Sequence, residues 1–261
     1  MKKILTTQIL LILSLRLFSQ TQFSNYESAL ASPEQAETLI LNIESVEDIL
    51  IDRRIEKLRN LKELRILSYP GKSIDLPEEL KKLRKLEIVS LYGENLETIP
   101  KVIFKLKYLK SLSVGYKHLN NSDSLMILQN LESLVLFSDS SIAFPTSAYK
   151  LSNLRHLVIQ GIKLIELPNG ISSLDKLTHL TIDAQNLLSL PEDLNHLDKL
   201  SYIHFRMKNN VDVKLNSNLS QLKEFSWYQA PGFPEFICQY RSLERLQLWR
   251  GGIIEIPECI C

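Results

Sequence analysis

Apolar residues recur along this chain with one dominant spacing, and that spacing predicts its local structure. Residues 154–159 (LRHLVI) return 23 positions later as residues 177–182 (LTHLTI). In both segments the last apolar residues alternate with other residues, which is the period of a strand with one buried face. Leu157 and Ile159 therefore face the interior, and His156 faces the opposite side. The pattern predicts one short strand in each unit of about 23 residues.

The second half of each unit has a different pattern. A proline follows the strand segment in several units, at Pro100, Pro168, Pro191 and Pro257. Because proline has no amide hydrogen to donate to a sheet, the chain must leave the sheet before it. Apolar residues then follow three apart, as at Leu194 and Leu197. This spacing predicts a helical or 3-10 turn that covers the other side of the same core.

Copies of this unit fill most of the chain. They begin at about Leu39 and then at Leu61, Leu86, Leu109, Leu131, Leu154, Leu177, Leu200, Leu222 and Leu243, which makes ten units with the last incomplete. One unit cannot bury its own apolar face, whereas stacked units cover one another. We therefore expect an α/β solenoid over residues 39–261, with a curved parallel sheet on the concave face and short turns on the convex face.

This pattern resembles the leucine-rich repeat (LRR) family, in the 23-residue form that carries Leu-Pro in its outer segment. The match is clear over residues 180–191, where Leu180, Ile182 and Leu187 precede Leu190-Pro191. The resemblance covers residues 39–261 and implies a non-catalytic module that binds another protein through its concave face. The family usually places Asn three residues after the second strand leucine. Here these positions hold Glu94, Lys117, Asp139, Ile162, Gln185 and Lys208, so the residues for a regular asparagine ladder are missing.

The start of the chain has the outline of a secretory signal over residues 1–19. Residues 1–3 are Met-Lys-Lys, an apolar run follows to Phe18, and a small residue, Ser19, closes it. The run of about 15 apolar residues is shorter than the roughly 20 that span a bilayer, and Arg16 interrupts it. We therefore expect a secreted, periplasmic or cell-surface protein whose mature chain has no transmembrane segment.

Residues 20–38 are predicted to form a linker and a capping helix. Ser32 would cap this helix, Pro33 would occupy its first position, and Gln35 would reach back to the cap. Such a helix covers the exposed edge of the first strand. The last unit has no comparable lid. Either it meets another molecule, or the sequence is a shortened form of a longer one.

The outward strand positions form three columns. All three are given from the unit at Leu61 onward. The first column contains Glu63, Ile88, Ser111, Ser133, His156, His179, Tyr202, Glu224 and Arg245. The second contains Arg65, Ser90, Ser113, Val135, Val158, Thr181, His204, Ser226 and Gln247, and the third contains Leu67, Tyr92, Gly115, Phe137, Gln160, Asp183, Arg206, Tyr228 and Trp249. Large side chains gather in the last units, at Tyr202, His204, Arg206, Tyr228, Arg245 and Trp249. Aromatic and arginine side chains are common interface anchors, so we predict that these six bind the partner. A purely stiffening role in the sheet is the alternative.

A protein is the expected partner, and a surface glycan bound during adhesion to a cell envelope is the alternative. The sequence contains no recognisable catalytic site, because it lacks the G-x-S-x-G, H-E-x-x-H, P-loop and dinucleotide-binding motifs. His156 and His179 should lie within about 5 Å of each other, a spacing that suits a metal. Asp183 is the one acidic residue or cysteine in the adjacent columns, and an open sheet gives no closed coordination shell. We therefore predict no enzyme activity, no metal and no cofactor.

The 261 residues carry 31 Lys and Arg against 30 Asp and Glu, a formal net charge of +1. This balance excludes a nucleic-acid partner held by a general excess of positive charge. The charge is nevertheless uneven. Residues 50–117 hold 16 basic and 9 acidic side chains, a net +7, so the remainder carries 1 − 7 = −6. We interpret the basic runs 81–85 and 105–107 as solvated, with a weak contact to anionic polymers or lipid head groups as the alternative.

The three cysteines cluster near the C-terminal end. Cys238 and Cys261 occupy matching places in successive units, so a disulfide between them is one hypothesis, and it would leave Cys259 free. The other is that all three are small buried apolar side chains.

Overall fold

The computed structural model describes residues 21–43, 51–68, 74–93, 96–117, 119–138, 140, 143–161, 163–207, 211, 213–249, 252–253 and 255–260. Over these residues the chain forms one sheet of eleven parallel strands that follow one another in sequence order. They are β1 Gln22–Phe23, β2 Thr38–Ile43, β3 Glu63–Ser68, β4 Ile88–Gly93, β5 Ser111–Gly115, β6 Ser133–Ser138, β7 His156–Gly161, β8 His179–Asp183, β9 Tyr202–Arg206, β10 Glu224–Tyr228 and β11 Arg245–Trp249. The predicted solenoid is confirmed. The predicted signal, residues 1–19, lies outside the described residues.

Short 3-10 turns connect the strands on the convex side. They span Arg53–Lys57, Glu78–Lys82, Lys101–Lys105, Ser122–Ile127, Thr146–Lys150, Ile171–Ser173, Glu192–His196, Glu235–Gln239 and Glu258–Ile260. In the turn Glu192–His196, Pro191 occupies the capping position, and the amide of Leu197 closes the turn on the carbonyl of Leu194 at 3.2 Å. Both leucines are buried, which is why apolar residues recur three apart there.

The core runs without a break between the sheet and the turns. Inward strand residues such as Leu157, Leu180 and Ile182 are fully buried, because the units on both sides cover them. In β11, Leu246 and Leu248 are only half-buried, and no described strand pairs with its far edge. In the described part of the chain, no helix combines the length and the apolar character needed to cross a membrane.

A helix does lie within residues 20–38, but it begins earlier than predicted. Helix α1 spans Tyr26–Ala31, and the side chain of Asn25 caps it by accepting the amide of Ser28 at 3.0 Å. Ser32, the predicted N-terminal cap, closes the C-terminal end instead, because its amide donates to the carbonyl of Ala29. Tyr26 and Ala29 lie three residues apart and are both buried. This apolar pair places the helix, and residues 33–35 form a turn.

Side-chain amides link neighbouring units, although not at the place that is usual in the family. Asn121 accepts the amide of Ile99 at 2.9 Å and donates to its carbonyl at 2.7 Å. Other links lie in the turn that precedes each strand, where Asn60 donates to the carbonyl of Glu34 (2.9 Å), Asn130 to that of Lys107 (2.9 Å) and Asn153 to that of Gln129 (2.7 Å). These bonds satisfy turn carbonyls that the sheet does not reach.

The carboxylate of Asp193 ties one convex turn to the turn before it. Its Oδ2 atom accepts the amides of Gly170 at 2.7 Å and Ser172 at 3.2 Å, and the Ser172 hydroxyl at 3.0 Å. Gly170 has a φ of 119°, which other residues rarely adopt. The carboxylate therefore holds a glycine turn in the neighbouring unit.

Replacing Asp193 with alanine is expected to lower the free energy of unfolding by about 2 kcal/mol, because two partly buried amides lose their acceptor. Urea denaturation followed by circular dichroism measures this change. Glu192→Ala is the matched control, since Glu192 is exposed, and should change stability by less than about 0.5 kcal/mol. Equal losses in both variants would show that the carboxylate does not hold the turn.

The structure contradicts the proposed pairing of Cys238 with Cys261. Cys238 forms its disulfide with Cys259 instead, and their Cα atoms lie 5.6 Å apart, within the usual range. The strands of these two units pair Glu224 with Arg245, a shift of 21 residues, and the same shift leads from Cys238 to Cys259. The predicted pairing relied on a 23-residue spacing, which the last two strands do not keep. Cys261 lies outside the described residues.

Candidate binding surface on the concave face

In-register pairing of the strands places equivalent outward residues side by side. The first column runs in the order His156, His179, Tyr202, Glu224 and Arg245 from β7 to β11. The two other predicted columns appear with the order read from the sequence. The concave face is therefore a regular grid of side chains, three columns wide on the longer strands.

The six predicted binding residues lie on three adjacent strands. Tyr202, His204 and Arg206 are on β9, Tyr228 is on β10, and Arg245 and Trp249 are on β11. The side chains on β9 and β10 are half-buried, whereas those on β11 are exposed, with Trp249 at 42%. The structure thus brings all six onto one end of the concave face.

Three aromatic rings of the first column stack on one another. The centroids of His156 and His179 lie 4.4 Å apart, and those of His179 and Tyr202 lie 5.5 Å apart. Burial, with a smaller contribution from His156, lowers the pKa of His179, so its ring is neutral at pH 7. The stack extends the predicted surface by two strands, to β7.

Arg206 links the third column. Its Nη1 atom lies 3.3 Å from Oδ2 of Asp183, and its guanidinium carbon lies 5.2 Å from the ring centroid of Tyr228. Burial raises the pKa of the Asp183 carboxyl, and Arg206 acts in the opposite direction. The Nε atom of Arg206 is shielded from solvent and donates to no atom of the described residues. The side chain is therefore held on both sides, by Asp183 and by Tyr228.

Two further contacts hold the surface in place. The Nδ1 atom of His204 lies 2.6 Å from the hydroxyl of Ser226, which is itself buried. Burial, together with the nearby charge of Arg206, lowers the pKa of His204, so this ring is also neutral at pH 7. Arg245 contacts both carboxylate oxygens of Glu224 at 3.0 Å. Most of the charge of Arg245 is therefore balanced within the sheet.

These residues offer aromatic rings, a guanidinium and neutral imidazoles on an open sheet. Within the described ranges, no group of three or more His, Cys, Asp or Glu side chains is arranged to hold a metal ion. Aromatic rings and guanidinium groups give this surface a large contact area.

The sequence model of the leucine-rich repeat region family matches residues 19–157, more than half of the chain. The chain belongs to the leucine-rich repeat family. A search of the curated proteins finds no match for this LRR chain.

Solved structures show the same fold. This LRR chain resembles an LRR protein of Leptospira interrogans with a TM-score of 0.58 and 23% identity, over 93% of this chain and 74% of that one. It also resembles the Drosophila Toll–Spatzle complex, with a TM-score of 0.63 and 20% identity over 82% and 29% of the two chains. A third likeness is to a plant peptide hormone receptor in complex with RGF2, with a TM-score of 0.51 and 18% identity over 92% and 48%.

Several contacts of this surface were not predicted. The sequence suggested a metal pair at His156 and His179 only as an alternative that was not favoured, whereas in the structure their rings stack and lead to Tyr202. The pairing of Arg206 with Asp183 was also not predicted. Both contacts join neighbours within one column, so aligning the units and comparing side chains of adjacent units would have found them.

Proposed function

We propose that this LRR chain is an exported, non-catalytic module that binds another protein through the C-terminal half of its concave face. The observation that carries the proposal is the position of Arg206, whose side chain is 31% exposed and is held between Asp183 and Tyr228. The ion pair and the ring contact fix the guanidinium on the concave face, so little side-chain entropy would be lost when it donates to a carbonyl or carboxylate oxygen of a partner.

The neighbouring side chains make this surface suitable for binding. The stacked rings of His156, His179 and Tyr202 are already ordered, so little side-chain entropy would be lost on association. Trp249 adds a large exposed ring at the edge of the same face. The Toll and plant receptor structures are complexes with Spatzle and RGF2, which supports a role for this fold in protein recognition.

Export is supported by two observations. Residues 1–19 have the outline of a secretory signal. The disulfide between Cys238 and Cys259 also fits an oxidising compartment, since disulfides seldom persist in the cytosol. We therefore place the protein outside the cytoplasm, as a secreted, periplasmic or cell-surface protein.

Affinity capture from the extracellular material of the source organism, with the mature chain as bait, tests the binding face. We expect one protein to be retained by the wild type, and binding to weaken more than tenfold in Arg206→Ala and in Tyr228→Ala. Tyr92→Ala is the matched control, because Tyr92 is a half-buried tyrosine of the same column on β4. It should bind like the wild type.

Two results would contradict the proposal. Equal loss of binding in Tyr92→Ala and Tyr228→Ala would place the binding face elsewhere. Retention on a glycan array that depends on Trp249, with no protein captured, would favour the adhesion alternative, since an exposed aromatic ring suits the face of a sugar.

A further inference from the structure

A second surface lies on the outside of the solenoid, where the chain turns back from each 3-10 turn toward the sheet. The residue that follows the closing residue of a 3-10 turn occupies the same place in eight units, and we call this set the corner column. In sequence order it contains Arg59, Arg84, Lys107, Gln129, Ser152, Asp175, Asp198 and Arg241, all of them exposed. The first three members are cations, the next two are uncharged, the next two are acidic, and the last is again a cation. The positive charge of residues 50–117 is therefore ordered in space as well as in sequence.

A depression of about 780 Å³ lies at this corner, between the units of Arg84 and Lys107. Its described lining includes four cations and no carboxylate, with Lys81 and Lys105 joining Arg84 and Lys107. Lys81 and Lys105 share a single carboxylate, that of Glu78, at 3.2 and 2.7 Å. The structure shows no acidic partner for Arg84 or Lys107 among the described residues. The depression therefore keeps a strong positive excess.

Exposed apolar side chains stand beside these cations. Tyr108 and Ile127 line the depression and are 51% and 59% exposed, and Met126 next to them is 48% exposed. These three are among the seven large apolar side chains that are exposed in the described part of the chain. Apolar and aromatic side chains surrounded by lysine and arginine are typical of protein surfaces that rest in the head-group region of a membrane.

We propose that this surface docks on an anionic lipid bilayer. We call it the basic corner, and it consists of Lys81, Arg84, Lys105, Lys107, Tyr108 and Ile127. The cations would contact phosphate-bearing head groups, and Tyr108 and Ile127 would enter the interface between them. A lipid surface fits these residues, because its phosphate groups would pair with the four cations while the layer beneath them would bury the exposed side chains of Tyr108 and Ile127.

The proposal does not depend on the concave binding face. The basic corner lies at the junction of the convex turns and the sheet, so docking there leaves the concave columns open to solvent. A protein held in this way could bind a partner while it rests on a membrane. The uneven charge of the chain, +7 over residues 50–117 against −6 elsewhere, would bring this end to the bilayer first.

Co-sedimentation of the mature chain with vesicles tests the proposal. We expect binding to vesicles of phosphatidylcholine and phosphatidylglycerol in a 3:1 ratio, weaker binding at high salt, and none to pure phosphatidylcholine. Neutralising one cation should weaken binding about fivefold, so the double variant Arg84→Gln/Lys107→Gln should lose more than tenfold. Tyr108→Ser/Ile127→Ser should also bind more weakly at every salt concentration.

Arg241→Gln is the matched control, because Arg241 is the arginine of the same corner column in a distant unit. It should bind vesicles like the wild type, as should Tyr228→Ala from the concave face. The proposal would be overturned by equal binding of the double variant and the wild type, or by equal binding to both vesicle types. Binding to soluble polyglutamate without binding to vesicles would also overturn it. All of these substitutions are exposed or half-buried, and unchanged thermal unfolding confirms that each variant is folded.

Discussion

Leu180→Ala is expected to lower the free energy of unfolding by about 3 kcal/mol. Leu180 is fully buried, and its strand neighbours in the two adjacent units are Leu157 and Ile203. The substitution removes three carbon atoms from a core whose backbone is held on both sides by the sheet, so the cavity cannot close. Equilibrium unfolding in urea, followed by far-ultraviolet circular dichroism, measures the loss.

Thr181→Ala is the control for this prediction. Thr181 is the next residue of the same strand, faces outward and is only half-buried. Its replacement should change stability by less than about 1 kcal/mol. Because each unit contacts only its neighbours, hydrogen exchange in Leu180→Ala should rise first in β7 to β9. Equal losses in the two variants would contradict the assignment of inward and outward positions.

The double variant Cys238→Ser/Cys259→Ser is expected to destabilise the last unit by about 3 kcal/mol. The disulfide closes a loop with a sequence separation of 21, and a loop of this length restricts the unfolded chain by about that amount. In the described residues β11 pairs only with β10, and Leu246 and Leu248 are half-buried, so this unit has little other support. Hydrogen exchange of the β11 amides, with and without reductant, measures the effect.

The serine variant supplies its own control, since a reductant should accelerate exchange in the wild type and have no effect on the variant. A peptide map of the non-reduced protein identifies the linked cysteines directly. A peptide joining Cys238 to Cys261 would contradict the structure and restore the pairing predicted from the sequence. Three free thiols under denaturing conditions would exclude any disulfide.

The grid of the concave face could be predicted almost completely from the sequence. Alternation of apolar residues assigns Leu157 and Ile159 to the core, and the 23-residue shift between their two units places His156 beside His179. Both inferences depend only on the period of a strand and on the stacking of aligned units. The convex turns followed from the same periodicity, because three-residue spacing is the period of a 3-10 helix.

Features that break the equivalence of units could not be predicted in this way. Helix α1 precedes the first repeat, and its position depends on how Tyr26 and Ala29 pack against it rather than on the capping pattern at Ser32. The disulfide follows the 21-residue shift between β10 and β11, whereas the predicted pairing with Cys261 assumed a shift of 23. Repeat equivalence predicts neighbours only where the length of the unit is known.

The candidate site could be predicted in part: its positions could, but its side-chain contacts could not. Its members were placed correctly because they share columns, whereas their contacts depend on side-chain conformations. Arg206 lies next to both Asp183 and Tyr228 in its column, and only the structure shows that it contacts both while its Nε atom keeps no described acceptor. The residues of the corner column could also be found in the sequence. The order of their charges along the solenoid can be read only when the closing residue of each 3-10 turn is known.

The regular spacing of the strands makes distant positions of the outer grid independent of one another. Neighbouring strands lie about 4.8 Å apart, so Ser113 on β5 and Val158 on β7 are separated by nearly 10 Å. At that distance the free-energy effects of two substitutions usually add. Such a surface can acquire a new binding specificity through successive single substitutions. The effect of each substitution does not depend on the others, and the buried leucines stay unchanged.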